Sequence, residues 1–267
     1  MRAARYLAER GCDTPRLDAE LLLADVLGVE RIVLYTDHDR PLTRGETDAY
    51  RAVIARRAKR EPVAYILGRR GFRRLDLAVS PAVLVPRPET EVLVEWVVAV
   101  APQGGDVLDW GTGSGAIALA VADERPDLTV TAVDRSAQAL AVAQANDPGG
   151  AVAWLESDGF SALSGLRFDV IAANPPYLSV DDLAQVDAEL GYEPREALVS
   201  GPTGFEALER IAPESPRHLR PGGWLLSEVG AGQAGTVTEL WRGAGFVDVQ
   251  TRRDLAGIDR VVGGRRP

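Results

Sequence analysis

Residues 168–177 have the sequence FDVIAANPPY, a mainly apolar segment ended by an asparagine, two prolines and a tyrosine. The apolar segment, residues 168–173, is too short for a helix and predicts a buried strand. Pro175 and Pro176 end this strand, because each proline fixes its own φ and lacks an N–H. Asn174 therefore stands at the carboxyl end of a strand, which is where open α/β sheets bind ligands.

The turn at residues 174–177 combines hydrogen-bond acceptors with a flat ring. The carboxamide of Asn174 supplies an acceptor and two donors, and the carbonyl groups of the turn have no helix or sheet ladder to join. With the ring of Tyr177 covering one plane, these atoms suit a planar NH2 group on an sp2 carbon. Asn-Pro and Pro-Pro pairs are also ordinary loop signals, so a simple strand-ending turn is the alternative.

Strand and helix patterns alternate from position 106 onward, after a helix that opens at residues 86–91. The predicted strands are 107–108, 129–133, 152–155, 168–173, 224–228, 246–251 and 260–263, and the predicted helices between them are 115–122, 136–145, 204–219 and 232–243. Such alternation is typical of an α/β fold with a doubly wound, mostly parallel sheet, here of seven strands. We expect residues 86–267 to form this domain.

The first part of the chain has a different pattern. Residues 1–62 are predicted to form a small helical domain, because leucines recur at helical spacing over residues 17–22 and residues 43–46 resemble a capping box. Residues 63–85 contain glycines and alternating leucine and valine, and they predict a β-hairpin linker with its turn near residues 73–74. The sequence thus predicts two domains joined by a hairpin.

The net charge of −9 conceals an uneven distribution. Residues 1–85 carry 16 basic and 12 acidic side chains, a balance of +4, whereas the remaining residues carry 14 and 27, a balance of −13. The acidic balance disfavours binding to a phosphate backbone, so no direct nucleic-acid partner is expected. The basic balance of the first part suits an acidic protein surface, although an ordinary solvated surface explains it equally well.

Composition also bears on location and on metals. The sequence has no run of about 18 apolar residues, so no membrane span is expected. The first residues lack the apolar core of a signal peptide, and Cys12 is the only cysteine, which excludes an internal disulfide. We expect a cytoplasmic protein and, by default, a monomer. No Cys and His residues are clustered at ligand spacing, so no metal is expected.

Residues 109–115, DWGTGSG, lie between the first strand of the α/β domain and its helix. Glycines in such a turn let the backbone approach a ligand closely, and the helix that follows presents free N–H groups. Asp134 ends the next strand, where a carboxylate can accept hydrogen bonds from both ribose hydroxyls. The residues predicted to bind a nucleoside cofactor are Gly111, Thr112, Gly113, Ser114, Gly115 and Asp134.

The glycine loop by itself is ambiguous. Gly111, Gly113 and Ala116 also satisfy a loose dinucleotide fingerprint, so a nicotinamide enzyme is an alternative, and a purely structural glycine turn is another. The G-x-G-x-G spacing and the turn at residues 174–177 beside the same cleft favour S-adenosylmethionine, because a hydride enzyme does not need that turn. Methyl transfer is therefore the preferred interpretation.

Residues 157–160, SDGF, follow the third strand, where the adenine of the cofactor is expected to pass. The carboxylate of Asp158 is suited to accept from the adenine amino group, and the ring of Phe160 is suited to pack on the base. An ordinary loop explains both residues equally well.

Six segments together carry a resemblance to a known family: DAELLL at 18–23, PRPETE at 86–91, DWGTGSG at 109–115, NPPY at 174–177, EPREAL at 193–198 and EVG at 228–230. In this order they resemble the PrmC/HemK family, the protein-glutamine methyltransferases of peptide chain release factors. The NPPY segment alone is shared with adenine and cytosine amino methyltransferases. The combination with the arginine between two prolines and with the Glu-Pro-Arg segment is specific.

The resemblance implies a class I S-adenosylmethionine-dependent methyltransferase fold with a helical domain that docks the substrate. It implies that the substrate is the glutamine in the Gly-Gly-Gln motif of a release factor and that the cofactor leaves as S-adenosylhomocysteine. The implied cofactor contacts are Gly111 to Gly115, Asp134 and Asn174, and the implied substrate contacts are Asn174, Pro175, Pro176 and Tyr177. Asp158, Gly159 and Phe160 are added to the predicted cofactor site because their loop follows the third strand. The family often has a bulky aromatic residue where Gly159 stands, and we expect Phe160 to compensate.

Catalysis is expected to depend on positioning, since a glutamine nitrogen is a poor nucleophile. His38 and His218 are the only histidines, and both are expected on the surface. The side-chain oxygen of Asn174 and the carbonyl of Pro175 are predicted to accept the two amide hydrogens of the substrate. The alternatives are an amino methyltransferase acting on DNA or RNA, and a cofactor-binding protein without catalysis.

Overall fold

The computed structural model describes residues 2–184 and 187–267, which divide into two compact units. The smaller, helical unit comprises Met1–Arg69 together with Asp187–Tyr192. The larger unit comprises Arg70–Val186 and Glu193–Pro267. Within the described ranges, no helix has the length and apolar character needed to cross a bilayer.

The helical unit is built from α1 (Arg2–Ala8), α2 (Pro15–Leu27), α3 (Val33–Thr36), α4 (Arg44–Arg57) and α5 (Val63–Leu67). Helix α2 ends at Gly28, whose φ of 64° is the left-handed C-cap conformation that glycine favours. Helix α4 begins with the predicted capping box, in which the side chain of Thr43 accepts from the N–H of Glu46 and the Glu46 side chain accepts in return. Its core contains the buried side chains Leu7, Leu22 and Ile54.

A buried arginine connects three segments of the helical unit. Arg57 is 5% exposed; its Nε lies 2.7 Å from Asp18 Oδ2 on α2, and its Nη1 lies 2.8 Å from Glu189 Oε1. Arg60 pairs with the same glutamate. Because Glu189 comes from the distant segment Asp187–Tyr192, these ion pairs hold that segment to α4.

The hairpin is shorter than predicted from the sequence. Strands β1 (Arg69–Phe72) and β2 (Leu75–Ala78) flank a turn at residues 73–74, where the turn was expected. Residues 63–67, however, form helix α5 and belong to the helical unit. A short apolar run does not distinguish strand from helix. Here Ala64 and Tyr65 are buried, and Gly68 ends the helix with a φ of 72°.

The larger unit contains the predicted seven-stranded sheet. The strands of this sheet are β3 (Asp106–Trp110), β4 (Thr129–Asp134), β5 (Val152–Glu156), β6 (Phe168–Ala173), β9 (Leu219–Glu228), β10 (Val247–Arg253) and β11 (Asp259–Arg265). A separate two-stranded sheet is formed by β7 (Leu178–Ser179) and β8 (Val199–Gly201). Among the described residues, seven strands pair in the order β10-β11-β9-β6-β3-β4-β5. All pairs from β9 to β5 are parallel and β11 is antiparallel to its neighbours, so the doubly wound, mostly parallel sheet is confirmed.

Helices cover both faces of the sheet. They are α6 (Glu91–Val100), which follows a 3-10 turn at Pro88–Thr90, then α7 (Ala116–Glu124), α8 (Ala137–Ala145), α9 (Arg195–Leu198), α10 (Glu206–Glu214) and α11 (Ala234–Gly243). Strand β6 contributes to both cores: Val170 and Ala172 pack with α6 and α7, and Ile171 and Ala173 pack with α10 and α11. Successive side chains of a strand point to opposite faces, which explains why this segment is apolar almost throughout.

The order of the strands reverses between β3 and β6. From β3 the chain moves outward through β4 to β5, and it then returns to place β6 on the other side of β3. The last pair of the β3–β6 ladder joins Trp110 to Ala173. The glycine loop and the NPPY turn therefore leave the sheet side by side, at the switch point where open α/β sheets bind ligands.

Candidate active site

A cavity of about 340 Å³ lies at this switch point, within the size range of small-molecule sites. Its walls come from the ends of β3, β4, β5 and β6 and from the segment before α6, all of which belong to the larger unit. Among the lining residues are Thr90, Gly111, Thr112, Gly113, Ser114, Asp134, Asp158, Gly159, Asn174, Pro175 and Pro176. Most residues predicted for the cofactor and the substrate are thus brought together in one cavity.

A buried carboxylate, that of Asp109, holds the glycine loop in place through hydrogen bonds. Asp109, which is fully buried, accepts from Thr112 Oγ1 at 2.6 Å and from the N–H of Ala118 at 3.1 Å. Burial raises the pKa of Asp109 to about 7, although both hydrogen bonds favour its ionised form. The two hydrogen bonds join the loop to the first turn of α7.

Two glycines of this loop form an open cradle. Gly111 and Gly113 have φ values of 74° and 56°, which favour glycine, and no described atom lies within 4 Å of the position where either would carry a Cβ. Gly115 differs, because a Cβ there would lie 2.9 Å from Trp154 Cη2. Gly115 is not among the described lining residues, and its lack of a Cβ allows the close packing of Trp154 on α7. Its contact with the cofactor stays a prediction.

Asp134 stands at the end of β4, as predicted, and lines the cavity. Its Oδ2 accepts from the N–H of Gly113 and its Oδ1 from the N–H of Ser136, both at 2.9 Å. These hydrogen bonds orient the carboxylate and tie it to the glycine loop. Since each carboxylate oxygen has two lone pairs, both oxygens retain capacity to accept from a ligand.

The loop after β5 departs from the sequence prediction. Asp158 and Gly159 line the cavity, but Phe160 does not and is 5% exposed. Its ring is stacked on His218 with centroids 4.7 Å apart, within the core under α10. The expectation that Phe160 covers the adenine is therefore wrong, and His218 lies half-buried rather than on the surface.

An arginine that the sequence reasoning missed occupies the space beside Gly159. A Cβ on Gly159 would lie 2.6 Å from Nη2 of Arg210, and Arg210 Nη1 donates to Asp158 Oδ1 at 2.7 Å. This hydrogen bond from Arg210 lowers the pKa of Asp158. Arg210 also lines the cavity, so its guanidinium group fills the space beside Gly159.

The NPPY turn places three of its four residues on the cavity wall. The Nδ2 of Asn174 donates to Thr90 Oγ1 at 3.2 Å, which leaves the carboxamide oxygen available to accept. Tyr177 is not among the described lining residues: a Cβ on Gly230 would lie 3.1 Å from its ring, and its carbonyl accepts from Gln233 Nε2 at 2.9 Å. Burial raises the pKa of Tyr177 to about 12. The predicted covering of the substrate by this ring is therefore not supported.

Two of the segments that carried the resemblance meet at the cavity. The buried carboxylate of Glu193 accepts from the N–H of Val85 at 3.0 Å and from Arg87. Glu196, which follows it, pairs with Arg135 at 2.8 Å, and both line the cavity. Glu193 is more than 100 positions from Val85 and Arg87, and Glu196 is 61 positions from Arg135, so no spacing pattern links these groups.

Within the described part of the chain, no group of His, Cys, Asp and Glu residues could hold a metal ion. The polar groups of the cavity are carboxylates, guanidinium groups, hydroxyls, backbone N–H groups and the carboxamide of Asn174. They are suited to bind a nucleoside and to orient a planar amide.

Sequence comparisons show that this chain is similar to known methyltransferases. The model of the PrmC N-terminal domain matches residues 1–68, and that of the methyltransferase small domain matches residues 88–202. A release factor glutamine methyltransferase of Geobacter sulfurreducens is 47% identical over 263 residues, covering 97% of this chain and 93% of that protein. One of Salmonella typhimurium is 45% identical over 260 residues, covering 96% and 94%.

Among solved structures, a methyltransferase from Pyrococcus furiosus resembles this chain with a TM-score of 0.55. It is 18% identical, and the match covers 72% of this chain and 89% of that one. This likeness shows the fold alone.

Proposed function

Because the chain belongs to the family of release factor glutamine methyltransferases, we propose that it methylates the side-chain nitrogen N5 of the glutamine in the Gly-Gly-Gln motif of a peptide chain release factor. The methyl donor is S-adenosylmethionine, and S-adenosylhomocysteine is the product. The observation that carries the proposal is that the glycine loop, Asp134 and the NPPY turn open into one cavity at the switch point of the sheet.

The residues of the cavity fit S-adenosylmethionine. Gly111 and Gly113 leave open space beside their backbone for a ligand, and Asp134 presents oxygens with accepting capacity suited to ribose hydroxyls. Asp158 and Arg210 stand at the loop assigned to adenine. The cofactor supplies a methyl group on a cationic sulfonium, which is a good leaving group.

The NPPY turn is proposed to hold the glutamine. Its Asn174 oxygen and Pro175 carbonyl accept the two hydrogens of the substrate NH2, which orients the nitrogen and draws electron density onto it. Thr90 supports this assignment because it holds the donor end of the Asn174 carboxamide. Well-oriented reactants recover roughly 7–11 kcal/mol of a bimolecular barrier, so positioning is a sufficient source of catalysis for a poor nucleophile.

The direct test is mass spectrometry of a release factor after incubation with the protein and isotope-labelled S-adenosylmethionine. We expect the label on the glutamine of the Gly-Gly-Gln motif. Label in bare nucleic acid and none in release factor would indicate an amino methyltransferase instead. Tight cofactor binding without methyl incorporation into any protein of a cell extract would indicate a binding protein without catalysis.

The helical unit is proposed to dock the release factor, with the enzyme acting as a monomer. Met1–Arg69 and Asp187–Tyr192 together carry 13 basic and 13 acidic side chains, so the exposed arginines of α4, and not the net charge of the unit, support this role. Replacing the exposed Arg44 and Arg51 of α4 with glutamine should raise KM for intact release factor several-fold and leave KM for a short Gly-Gly-Gln peptide unchanged. Arg242→Gln with Arg253→Gln on the larger unit is the matched control. The docking role would be contradicted if the Arg44 and Arg51 substitutions raised KM equally for release factor and for the peptide. It would also be contradicted if the Arg242 and Arg253 substitutions raised KM for release factor by the same factor.

A further inference from the structure

A glutamine carboxamide that the mechanism above does not use holds the last residue of the NPPY turn. The Nε2 of Gln233 donates to the carbonyl of Tyr177 at 2.9 Å, and its Oε1 accepts from the N–H of Gly230 at 2.8 Å. Since a carbonyl only accepts and a backbone N–H only donates, these two partners fix the orientation of the carboxamide. Gln233 therefore joins the NPPY turn to the segment that follows β9, and all three residues belong to the larger unit.

Gln233 occupies a position where a helix cap is expected. It is the N-cap residue of α11, a position that favours Ser, Thr, Asp and Asn, and among the described residues its side chain makes no capping hydrogen bond. Helix α11 is anchored in the core by the buried residues Ala234, Val237 and Trp241. The side chain of Gln233 thus leaves its own helix uncapped and holds the NPPY turn from a rigid base.

Two glycines make room for this contact. A Cβ on Gly204 would lie 2.7 Å from the carbonyl oxygen of Tyr177 and 3.3 Å from Nε2 of Gln233. A Cβ on Gly230 would lie 2.9 Å from Oε1 of Gln233. In a close-packed interior, a side chain on Gly204 would collide with the main chain of the turn, and one on Gly230 would displace the carboxamide. The EVG segment that carried the resemblance is therefore shaped around this hydrogen bond.

The NPPY turn is held at both of its ends. At its start, Ala173 is paired with Trp110 on one side and with Ser227 on the other. At its end, the Tyr177 carbonyl is held by Gln233. The rings of the two prolines between these points restrict φ, so few backbone rotations remain. The direction of the Pro175 carbonyl consequently depends on where Tyr177 is held.

We propose, on the basis of the proposed function, that Gln233 is a positioning residue for methyl transfer. By holding Tyr177, it directs the Pro175 carbonyl, together with the Asn174 carboxamide, toward the two hydrogens of the substrate NH2. Gln233 is not among the described lining residues of the cavity, so it acts through the main chain of the turn. A misplacement of about 1 Å can cost about 10²-fold in rate, so its loss should affect the rate and not the affinity for the cofactor.

Two substitutions separate the hydrogen bond to Tyr177 from the one to Gly230. Gln233→Met keeps the length of the side chain and removes both hydrogen bonds. Gln233→Glu keeps an acceptor for Gly230 but sets a carboxylate oxygen against the Tyr177 carbonyl. Both variants should lower the single-turnover rate of release factor methylation, at saturating substrate, by about 10- to 100-fold. The affinity for S-adenosylhomocysteine, measured by calorimetry, should stay within about twofold, because the hydrogen bonds of the glycine loop do not involve Gln233.

Asp169→Ala is the matched control, because Asp169 also bonds the main chain of a neighbouring segment. Its Oδ2 accepts from the N–H of Asp106 at 2.8 Å, and it lies on β6 at the end opposite to the NPPY turn. This variant should lower the melting temperature and leave the methylation rate within about twofold of wild type. A merely structural role of Gln233 predicts the same result for Gln233→Met, a lower melting temperature with an unchanged rate.

The outcomes are decisive in both directions. A wild-type rate in Gln233→Met would overturn the proposal, and so would a wild-type rate in Gln233→Glu, because the hydrogen bond to Tyr177 would then be dispensable. An equal loss of rate in Asp169→Ala would also overturn it, since any weakened contact of β6 would then have the same effect. If Gln233→Met does not fold, Gln233→Glu decides by the same rate and affinity measurements.

Failure of this inference and failure of the proposed function give different results. A wild-type protein that leaves the release factor unmethylated contradicts the function itself. A wild-type protein that methylates the glutamine, with Gln233 variants that match it in rate, contradicts only the positioning role.

Discussion

Asn174→Ala removes the group that we expect to present an oxygen to the substrate NH2. Truncation leaves the glycine loop and Asp134 in place, because their hydrogen bonds involve Asp109, Thr112 and Gly113 and not Asn174. It also deletes the 3.2 Å hydrogen bond to Thr90, a neutral bond worth about 0.5–1.5 kcal/mol. The fold should therefore persist with a small loss of stability.

The catalytic loss should be much larger than the loss of stability. Removing one preorganised hydrogen-bonding group that acts on the reacting atoms typically costs about 10²–10³ in kcat, or about 2.7–4 kcal/mol. The assay is single-turnover methyl incorporation into release factor, followed by mass spectrometry, with calorimetric titration of S-adenosylhomocysteine in parallel. We expect kcat to collapse while cofactor affinity changes by less than about threefold. Near wild-type methylation by this variant would refute the assignment of Asn174.

Two further predictions concern stability. Arg57→Ala should lower the free energy of unfolding by about 3–5 kcal/mol in urea denaturation, because it removes the cation that pairs with the buried Asp18 and leaves that carboxylate with the Thr14 hydroxyl. A loss below about 1 kcal/mol would show that solvent reaches the pair. Gly115→Ala should cost about 1–3 kcal/mol, since φ is 85° and its Cβ would lie 2.9 Å from Trp154, whereas Gly149→Ala has open space and should be close to neutral. Equal melting temperatures for the two glycine variants would contradict this account.

The sheet was predictable because its signals are local. Short apolar segments separated by helical patterns define parallel strands, and β6 is apolar almost throughout because both of its faces are buried. The main error in this part of the prediction concerns residues 63–67, where five residues are too few for periodicity to distinguish helix from strand. The αL conformation of Gly68 and the burial of Tyr65 decide that case, and both depend on tertiary structure.

The candidate site was predictable where the backbone determines it and less so where side chains compete for space. The glycine loop, Asp134 and the NPPY turn follow from their places at strand ends. At residues 159–160, packing decides which side chain enters the core and which group faces the cavity. Phe160 stacks on His218 in the core, and Arg210, from a helix about 50 positions later, fills the space beside Gly159. No sequence pattern couples such distant positions.

The same limitation applies to the residue that holds Asn174. Thr90 stands in a segment that carried the resemblance, yet nothing in its spacing indicates that its hydroxyl accepts from the Asn174 carboxamide, 84 positions later in the chain.

The pairing of Trp110 with Ala173 determines which sequence changes the two loops tolerate and which would disrupt the site. Neighbouring strands are held about 4.7–4.9 Å apart by backbone hydrogen bonds, so main-chain geometry sets the distance between the first residues of the glycine loop and of the NPPY turn. Side chains on either loop can therefore change without altering that interval. A register shift of one residue between β3 and β6, by contrast, would displace the NPPY turn relative to the glycine loop. It would also move every side chain of the shifted strand to the opposite face of the sheet.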